Sequence, residues 1–192
     1  MFERLFFALW PPPTLREQLV ALRRPLAHGL GRGSWGASAA GTEAIPAGDE
    51  SPAVRLSHPR DLHLTLVFVG AVEAHLRPCV EAAGDDIACR AFELTLDQTG
   101  SWARQRVWVA EPRQAPGALF GLVGQLQQNL LVCGLEPEKR RYRPHVTLAR
   151  KAPPIEMSAV SLRWPVTELV LAASRSGRRP SYAIVRRWSL DG

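Results

Sequence analysis

The stretch Asp61-Leu62-His63-Leu64-Thr65-Leu66-Val67-Phe68-Val69 reads as one buried strand, apolar and partly β-branched, ended by Gly70. Side chains two apart on a strand share a face. His63 and Thr65 therefore emerge together, while Leu64 and Leu66 turn to a core. An imidazole moves protons near neutral pH, and a hydroxyl beside it can donate to an anionic oxygen. A lone histidine on an apolar strand is more often structural than catalytic, but this unit occurs twice. Arg143-Pro144-His145-Val146-Thr147-Leu148-Ala149-Arg150 again sets His145 and Thr147 on one face and Val146 and Leu148 on the other.

The surroundings of the two copies are duplicated as well. Ahead of the first stands a short apolar strand, Arg4-Leu5-Phe6-Phe7-Ala8-Leu9, then a turn at Pro11 to Pro13 and an amphipathic helix. Ahead of the second stand Arg106-Val107-Trp108-Val109-Ala110, the prolines Pro112 and Pro116, and another such helix. Strand, proline turn, helix, His-x-Thr strand: the repeated order implies two related halves. A pseudo-twofold arrangement then faces the two histidines across one cleft.

The remaining chain fills in around this frame. The first helix, from about Thr14 to His28, carries Leu15, Leu19, Leu22 and Leu26 as one stripe. Residues 29–53, rich in Gly, Ala, Ser and Pro, read as a flexible surface loop, with Trp35 as a residue able to stack on a base or sugar. Residues 54–56 are extended. A helix is expected from Glu73 to Arg90 with Leu76, Val80, Ala83 and Ile87 inward. A half-exposed strand follows at 92–96, a turn at 97–104 around Gly100, and a strand at 105–110. A helix from about Ala118 to Cys133 stops at Gly134. The basic run Lys139-Arg140-Arg141-Tyr142-Arg143 leads directly into His145. After a proline-rich link at 152–154, strands at about 166–173 and 181–189 finish the sheet, joined by a connection with Arg175, Arg178 and Arg179.

Composition narrows the function. The 192 residues suit one domain spanning 1–192, made of two small lobes. No apolar run is long enough for a membrane span, and the N-terminus lacks a signal-peptide pattern. Twenty-four Lys and Arg against eighteen Asp and Glu give +6 at pH 7, which suits an anionic partner such as a phosphate ester or RNA end. Cys79, Cys89 and Cys133 show no paired spacing and read as buried helix residues in a reducing compartment, neither a disulfide frame nor a metal site. No His, Cys and carboxylate cluster has metal-ligand spacing, so neither metal nor other cofactor is expected. His28, His58 and His75 have no partner pattern.

In these motifs the chain resembles the bacterial RNA 2′,3′-cyclic phosphodiesterases, also called 2′-5′ RNA ligases, of the two-histidine phosphoesterase superfamily. The resemblance rests on Arg4 to Ala8, on Asp61 to Leu66, on Arg143 to Arg150, and on a tail pattern with Ser174, Gly177 and Tyr182. Leu56 stands where the family often has an aromatic residue. The resemblance implies an α+β fold: two pseudo-symmetric lobes of antiparallel sheet, helices outside, and a cleft between. It implies a cytoplasmic monomer acting on RNA ends or nucleoside 2′,3′-cyclic phosphates. His63 is then the proton donor to the leaving 3′ oxygen and His145 the proton acceptor that activates water, giving a 2′-phosphate. The roles swap in the ligating direction.

Thr65 and Thr147 are placed to bond the non-bridging oxygens, where charge builds in the transition state. By the same resemblance Arg150 contacts phosphate or ribose, and Tyr142 is a candidate for base stacking beside Trp35. Two other readings stand beside this one. The same fold could act on another cyclic nucleotide, an ADP-ribose cyclic phosphate or a 2′-5′ linkage. A non-catalytic RNA-end binder is the third, disfavoured because binding alone needs arginines and aromatics rather than two matched proton-transfer groups.

Overall fold

The structure, a computed structural model, describes residues 2–28, 54–136 and 140–190. The 29–53 segment, with Trp35, lies outside the described residues, as does Lys139 of the basic run. Among the described residues nine strands and three α-helices follow in the order β1 (Phe2–Leu9), α1 (Pro13–His28), β2 (Arg55–Leu56), β3 (Leu64–Glu73), α2 (Arg77–Asp85), β4 (Phe92–Trp102), β5 (Val107–Glu111), α3 (Gly117–Val132), β6 (Val146–Arg150), β7 (Ser158–Val166), β8 (Glu168–Ser174) and β9 (Tyr182–Ser189). The fold is α+β, and every strand pairing is antiparallel.

The strands run β7-β4-β5-β6-β3-β1-β8-β9, with β2 added on β6. Four strands lie on each side of the β6–β3 junction. The duplicated order of the sequence is visible in them: β1, α1 and β3 on one side, β5, α3 and β6 on the other. Where the resemblance implies two sheets, the ladder is continuous, because β3 and β6 meet at one pair, Leu64 and Val146.

The two faces of this sheet differ in chemistry. Leu5, Phe7 and Leu9 of β1, Leu64 and Leu66 of β3, and Val146 and Leu148 of β6 join Leu15, Leu19, Leu119, Leu122 and Leu126 of the helices in one large core. The alternate residues of β1 and β8, Phe6, Ala8, Val170 and Ala172, form a second, small cluster with Trp10. Period-two alternation thus sends Leu5, Phe7, Leu9, Leu64, Leu66, Val146 and Leu148 to the helices. The other face is left for the histidines.

Several element boundaries differ from the sequence reading, each for a local reason. Gly70 does not end its strand. It has φ +90° inside β3, where Leu5 faces Gly70 but Phe6 faces Phe68, so the glycine serves a β-bulge and the strand continues to Glu73. The expected helix from Glu73 therefore begins only at Arg77, after a 3₁₀ turn at Ala74–Leu76. Gly100 does not make a turn either. β4 runs through it to Trp102, and a Cβ there would lie 2.2 Å from Met157 Sδ, so the glycine makes room for a side chain. β7 goes unread in the sequence because of Pro165. It is an edge strand, where proline costs no ladder bond.

The cysteine reading is corrected. Cys79, in the first turn of α2, and Cys133, at the C-terminal end of α3, form a disulfide with Cα atoms 5.8 Å apart. The two are 54 residues apart in sequence, and only helix packing brings them together. Asn129 donates to the Ala83 carbonyl at 3.1 Å, and the Gln125 side chain bonds both the N–H and the carbonyl of Ala88. Local spacing carries no trace of such a contact. Cys89 is a free thiol, half-buried.

Candidate active site

Each histidine stands one residue ahead of its strand, His63 before β3 and His145 before β6. Extending the Leu64–Val146 pair by one residue each way sets His63 opposite Thr147 and His145 opposite Thr65. Leu64 and Val146 are fully buried, and all four polar residues are half-buried on the opposite face. One register thus produces a four-residue array with diagonal symmetry.

The two imidazoles are held in the same way. His63 Nδ1 lies 2.7 Å from the Asp61 carbonyl, and His145 Nδ1 lies 2.8 Å from the Arg143 carbonyl, each two residues upstream. A carbonyl only accepts, so both Nδ1 atoms carry the hydrogen. Both Nε2 atoms are left as the nitrogens able to exchange a proton with a substrate.

Aromatic walls complete the setting. Trp10 stacks on His63 at 5.2 Å with the rings within 9° of parallel. Phe6 lies 4.9 Å away, and Tyr182 approaches edge-on at 5.0 Å. On the other side Trp102 sits 4.3 Å from His145 and carries the Arg143 guanidinium 4.2 Å over its ring. Behind them the buried Glu111 accepts from Arg143 Nη2 at 3.1 Å, Trp102 Nε1 at 3.2 Å and Gln98 Nε2 at 3.2 Å.

Burial among these rings pushes the His63 imidazole down to about 4, against the opposing pull of the Asp61 carbonyl; the charges of Arg150 and His145 lower it further. Burial lowers His145 as well. There the Arg143 carbonyl and the Glu111 charge oppose the shift, and Arg150 and Arg143 add to it. Arg150 thus acts on both histidines from the end of β6. In the free protein both imidazoles favour the neutral form.

A cavity of about 210 Å³ opens here, lined by His63, Thr147, Arg150, Arg179, Ser181 and Tyr182 among others. The start of β9 is docked onto it by Asp61. This buried carboxylate accepts from the Ser181 N–H through both oxygens at 2.9 Å and from the Tyr182 N–H at 3.3 Å. Its carbonyl is the one that orients His63. Among the described residues no set of three or more His, Cys, Asp or Glu side chains is gathered for a metal.

A model of the 2′-5′ RNA ligase superfamily matches residues 11–178. The chain belongs to the 2′-5′ RNA ligase superfamily. It is 32% identical to the RNA 2′,3′-cyclic phosphodiesterase of Escherichia coli K12, over 98% of this chain and 97% of that one. It is 28% identical to the enzyme of the same name from Thermus thermophilus, over 98% and 91%. The crystal structure of Escherichia coli LigT complexed with 3′-AMP superposes with a TM-score of 0.79 at 30% identity, each chain covered in full.

Of the residues singled out from the sequence of this superfamily member, His63, His145, Thr65 and Thr147 share one face, and Arg150 lines the cavity with His63 and Thr147 while its charge acts on both histidines. Tyr142 is not among the residues that line the cavity with His63. Its hydroxyl donates to the Thr65 carbonyl at 3.1 Å, crossing the junction of the halves, and its ring lines a second cavity. Burial raises its phenol well above the ordinary range. Sequence reasoning misses Trp10, Trp102, Asp61 and Tyr182 as parts of the site. Asp61 and Tyr182 stand in the quoted motifs, but their juxtaposition needs the long-range docking of β9. Trp102 falls in an expected turn and lies instead in β4.

Proposed function

We propose that this protein hydrolyses RNA or nucleoside 2′,3′-cyclic phosphates to 2′-phosphomonoesters, using its two histidines and no cofactor. The observation that carries the reading is the matched pair of imidazoles, each tied through Nδ1 to a carbonyl two residues upstream, which leaves Nε2 as the proton-exchanging nitrogen of each. Opening a cyclic phosphate needs a base for water on one side of phosphorus and an acid for the leaving oxygen on the other. His145 Nε2 takes a proton from the attacking water. His63 Nε2 gives one to the 3′ oxygen as its bond to phosphorus breaks. The Thr65 and Thr147 hydroxyls and the Arg150 guanidinium receive the charge on the non-bridging oxygens.

The donor must be protonated, and burial disfavours that in the free protein. The bound cyclic phosphate supplies the missing partner. Its negative charge beside His63 favours the imidazolium, so substrate and proton enter together. The names of the curated relatives favour the same substrate class. The Escherichia coli K12 relative shares nearly the full length of this chain.

Hydrolysis of nucleoside 2′,3′-cyclic phosphates by the wild type and by His63→Ala and His145→Ala tests the reading. Each single change removes at least about a hundred-fold of kcat, in the range for one general acid or base. The double variant is little worse than either single, as for groups acting in one transition state. A single variant with near-full rate sinks the two-histidine mechanism. A product carrying a 3′-phosphate instead of a 2′-phosphate overturns the assignment of the leaving oxygen.

A further inference from the structure

A second cavity, of about 530 Å³, is lined by Glu111, Arg113, Phe120, Arg141, Tyr142 and Arg143 among others. Arg143 and Pro144, the two residues before His145, are among its lining, so the chain that forms its wall leads directly into the catalytic array. Phe120 of α3 stands in it with 48% of its surface exposed, edge-on to Tyr142 at 6.1 Å. A phenyl ring left half in water beside a cavity is a ready stacking surface.

The charges around this ring are strongly biased. Arg113, Arg141 and Arg143 line the cavity against one carboxylate, Glu111. Glu111 is buried and already neutralised by Arg143, with Trp102 and Gln98 donating to it as well. Arg113 and Arg141 are exposed, and neither side chain is in an ion pair among the described residues; the Asp97 carboxylate accepts from the Arg113 backbone N–H at 2.7 Å. An exposed aromatic face with uncompensated guanidiniums is the composition of a single-stranded nucleic-acid subsite.

The proposed reaction sets the direction of the strand. A cyclic phosphate closes the 3′ end of an RNA, so the rest of the chain can leave the active site only on its 5′ side. We propose that this cavity holds the nucleotide immediately 5′ of the cyclic-phosphate end, with Phe120 stacking on its base and Arg113 and Arg141 holding its backbone phosphate. The inference rests on the cyclic phosphodiesterase reading and extends it: the protein is built to prefer RNA ends over mononucleotides.

The test compares a nucleoside 2′,3′-cyclic monophosphate with a short oligoribonucleotide ending in a 2′,3′-cyclic phosphate. Wild type, Phe120→Ala and Arg141→Ala are assayed on both; each changed side chain is exposed. For the oligonucleotide, kcat/KM falls about ten-fold with Phe120→Ala, in the range for losing one stacked base. Arg141→Ala also lowers the log–log salt slope of oligonucleotide binding by about 0.7, the value for one single-strand phosphate contact. The mononucleotide rates do not change. Equal losses on both substrates, or no loss on either, overturn the subsite. If the wild type cleaves neither substrate, the proposed activity has failed. Fluorescence anisotropy of a labelled oligonucleotide then decides the subsite alone: weaker binding by Phe120→Ala supports it, and unchanged binding overturns it.

Discussion

Leu64 faces Val146 across the junction of the two half-sheets, and both side chains are fully buried on the helix side. That pair sets the geometry of the site, because it fixes which residues stand next to it on the open face. A one-residue slip of either strand would turn every side chain of that strand over and drive its histidine into the leucine core. The cost of unpaired polar groups there locks the register, and with it the diagonal His63/Thr147 and His145/Thr65 array.

Thr65→Val and Thr147→Val keep the shape at each corner of this array and remove one donor. Each is expected to lower kcat by roughly ten- to a thousand-fold, the range around losing one oxyanion donor. Thermal melting should be little changed, since a half-buried hydroxyl facing the cleft leaves no buried partner orphaned. Leu64→Asp behaves oppositely: a carboxylate in the leucine core unfolds the protein. Melting curves with initial rates separate the two classes. A Thr→Val variant at full rate removes the threonines from the mechanism.

The alternation that decides the fold is legible because burial on one face of a strand writes period two into the sequence. His63, Thr65, His145 and Thr147 can be placed from that alone. The helices α1 and α3 are legible for the same reason at their own period. What escapes is non-local. Trp10 reaches His63 because β1 pairs beside β3, and Tyr182 reaches it because Asp61 binds the start of β9 across more than a hundred residues. The Cys79–Cys133 bond likewise exists through packing of α2 on α3. Gly70 and Gly100 mislead because glycine marks a bulge and a close side-chain approach as readily as a turn.

Both imidazoles are displaced downward in the free protein, His63 to about 4. The kcat/KM profile reports the free enzyme, so its bell should be centred on the acid side of the ordinary histidine range, near 6.5. The kcat profile reports the complex and should lie at higher pH, because the phosphate anion favours the imidazolium. Steady-state rates across pH check both. A kcat/KM optimum in the alkaline range contradicts the burial of the two rings.

Stability carries the same signature. The unfolded chain takes up a proton at His63 near pH 6.5, whereas the folded chain resists until about 4. Between those values the unfolded form binds more protons, so stability is full above the window and falls as pH falls through it. The slope from this residue approaches about 1.4 kcal/mol per pH unit inside the window. His63→Gln should flatten that slope in urea titrations at a series of pH values. An unchanged slope would show that other groups set the acid sensitivity.

The Cys79–Cys133 bond closes a loop across 54 residues on the helix side of the sheet. In the chain-entropy view such a loop is worth roughly 4 kcal/mol. Reduction, or Cys133→Ser, should lower the melting temperature while leaving kcat on a cyclic mononucleotide intact, because the site lies on the opposite face. Loss of kcat in step with reduction would mean that the helices govern the geometry of the cleft.

Asp61 joins the two parts of the site that are farthest apart in sequence. Its carbonyl fixes the His63 tautomer, and its carboxylate holds the Ser181 and Tyr182 N–H groups. The carbonyl belongs to the backbone and survives mutation, so substitution tests the carboxylate alone. Asp61→Ala leaves the N–H groups of half-buried Ser181 and Tyr182 without their acceptor and frees the Tyr182 ring from the edge of His63. Asp61→Asn keeps one oxygen able to accept. The expected result is a graded loss: kcat falls in Asp61→Ala, and Asp61→Asn recovers much of it. The acid limb of the kcat/KM profile should move as well. Without Tyr182 packed against it His63 is better hydrated, and its pKa rises toward the ordinary value. A purely structural role would lower stability in both variants without moving that limb, so the pH profile of Asp61→Ala distinguishes a positioning residue from a mere brace.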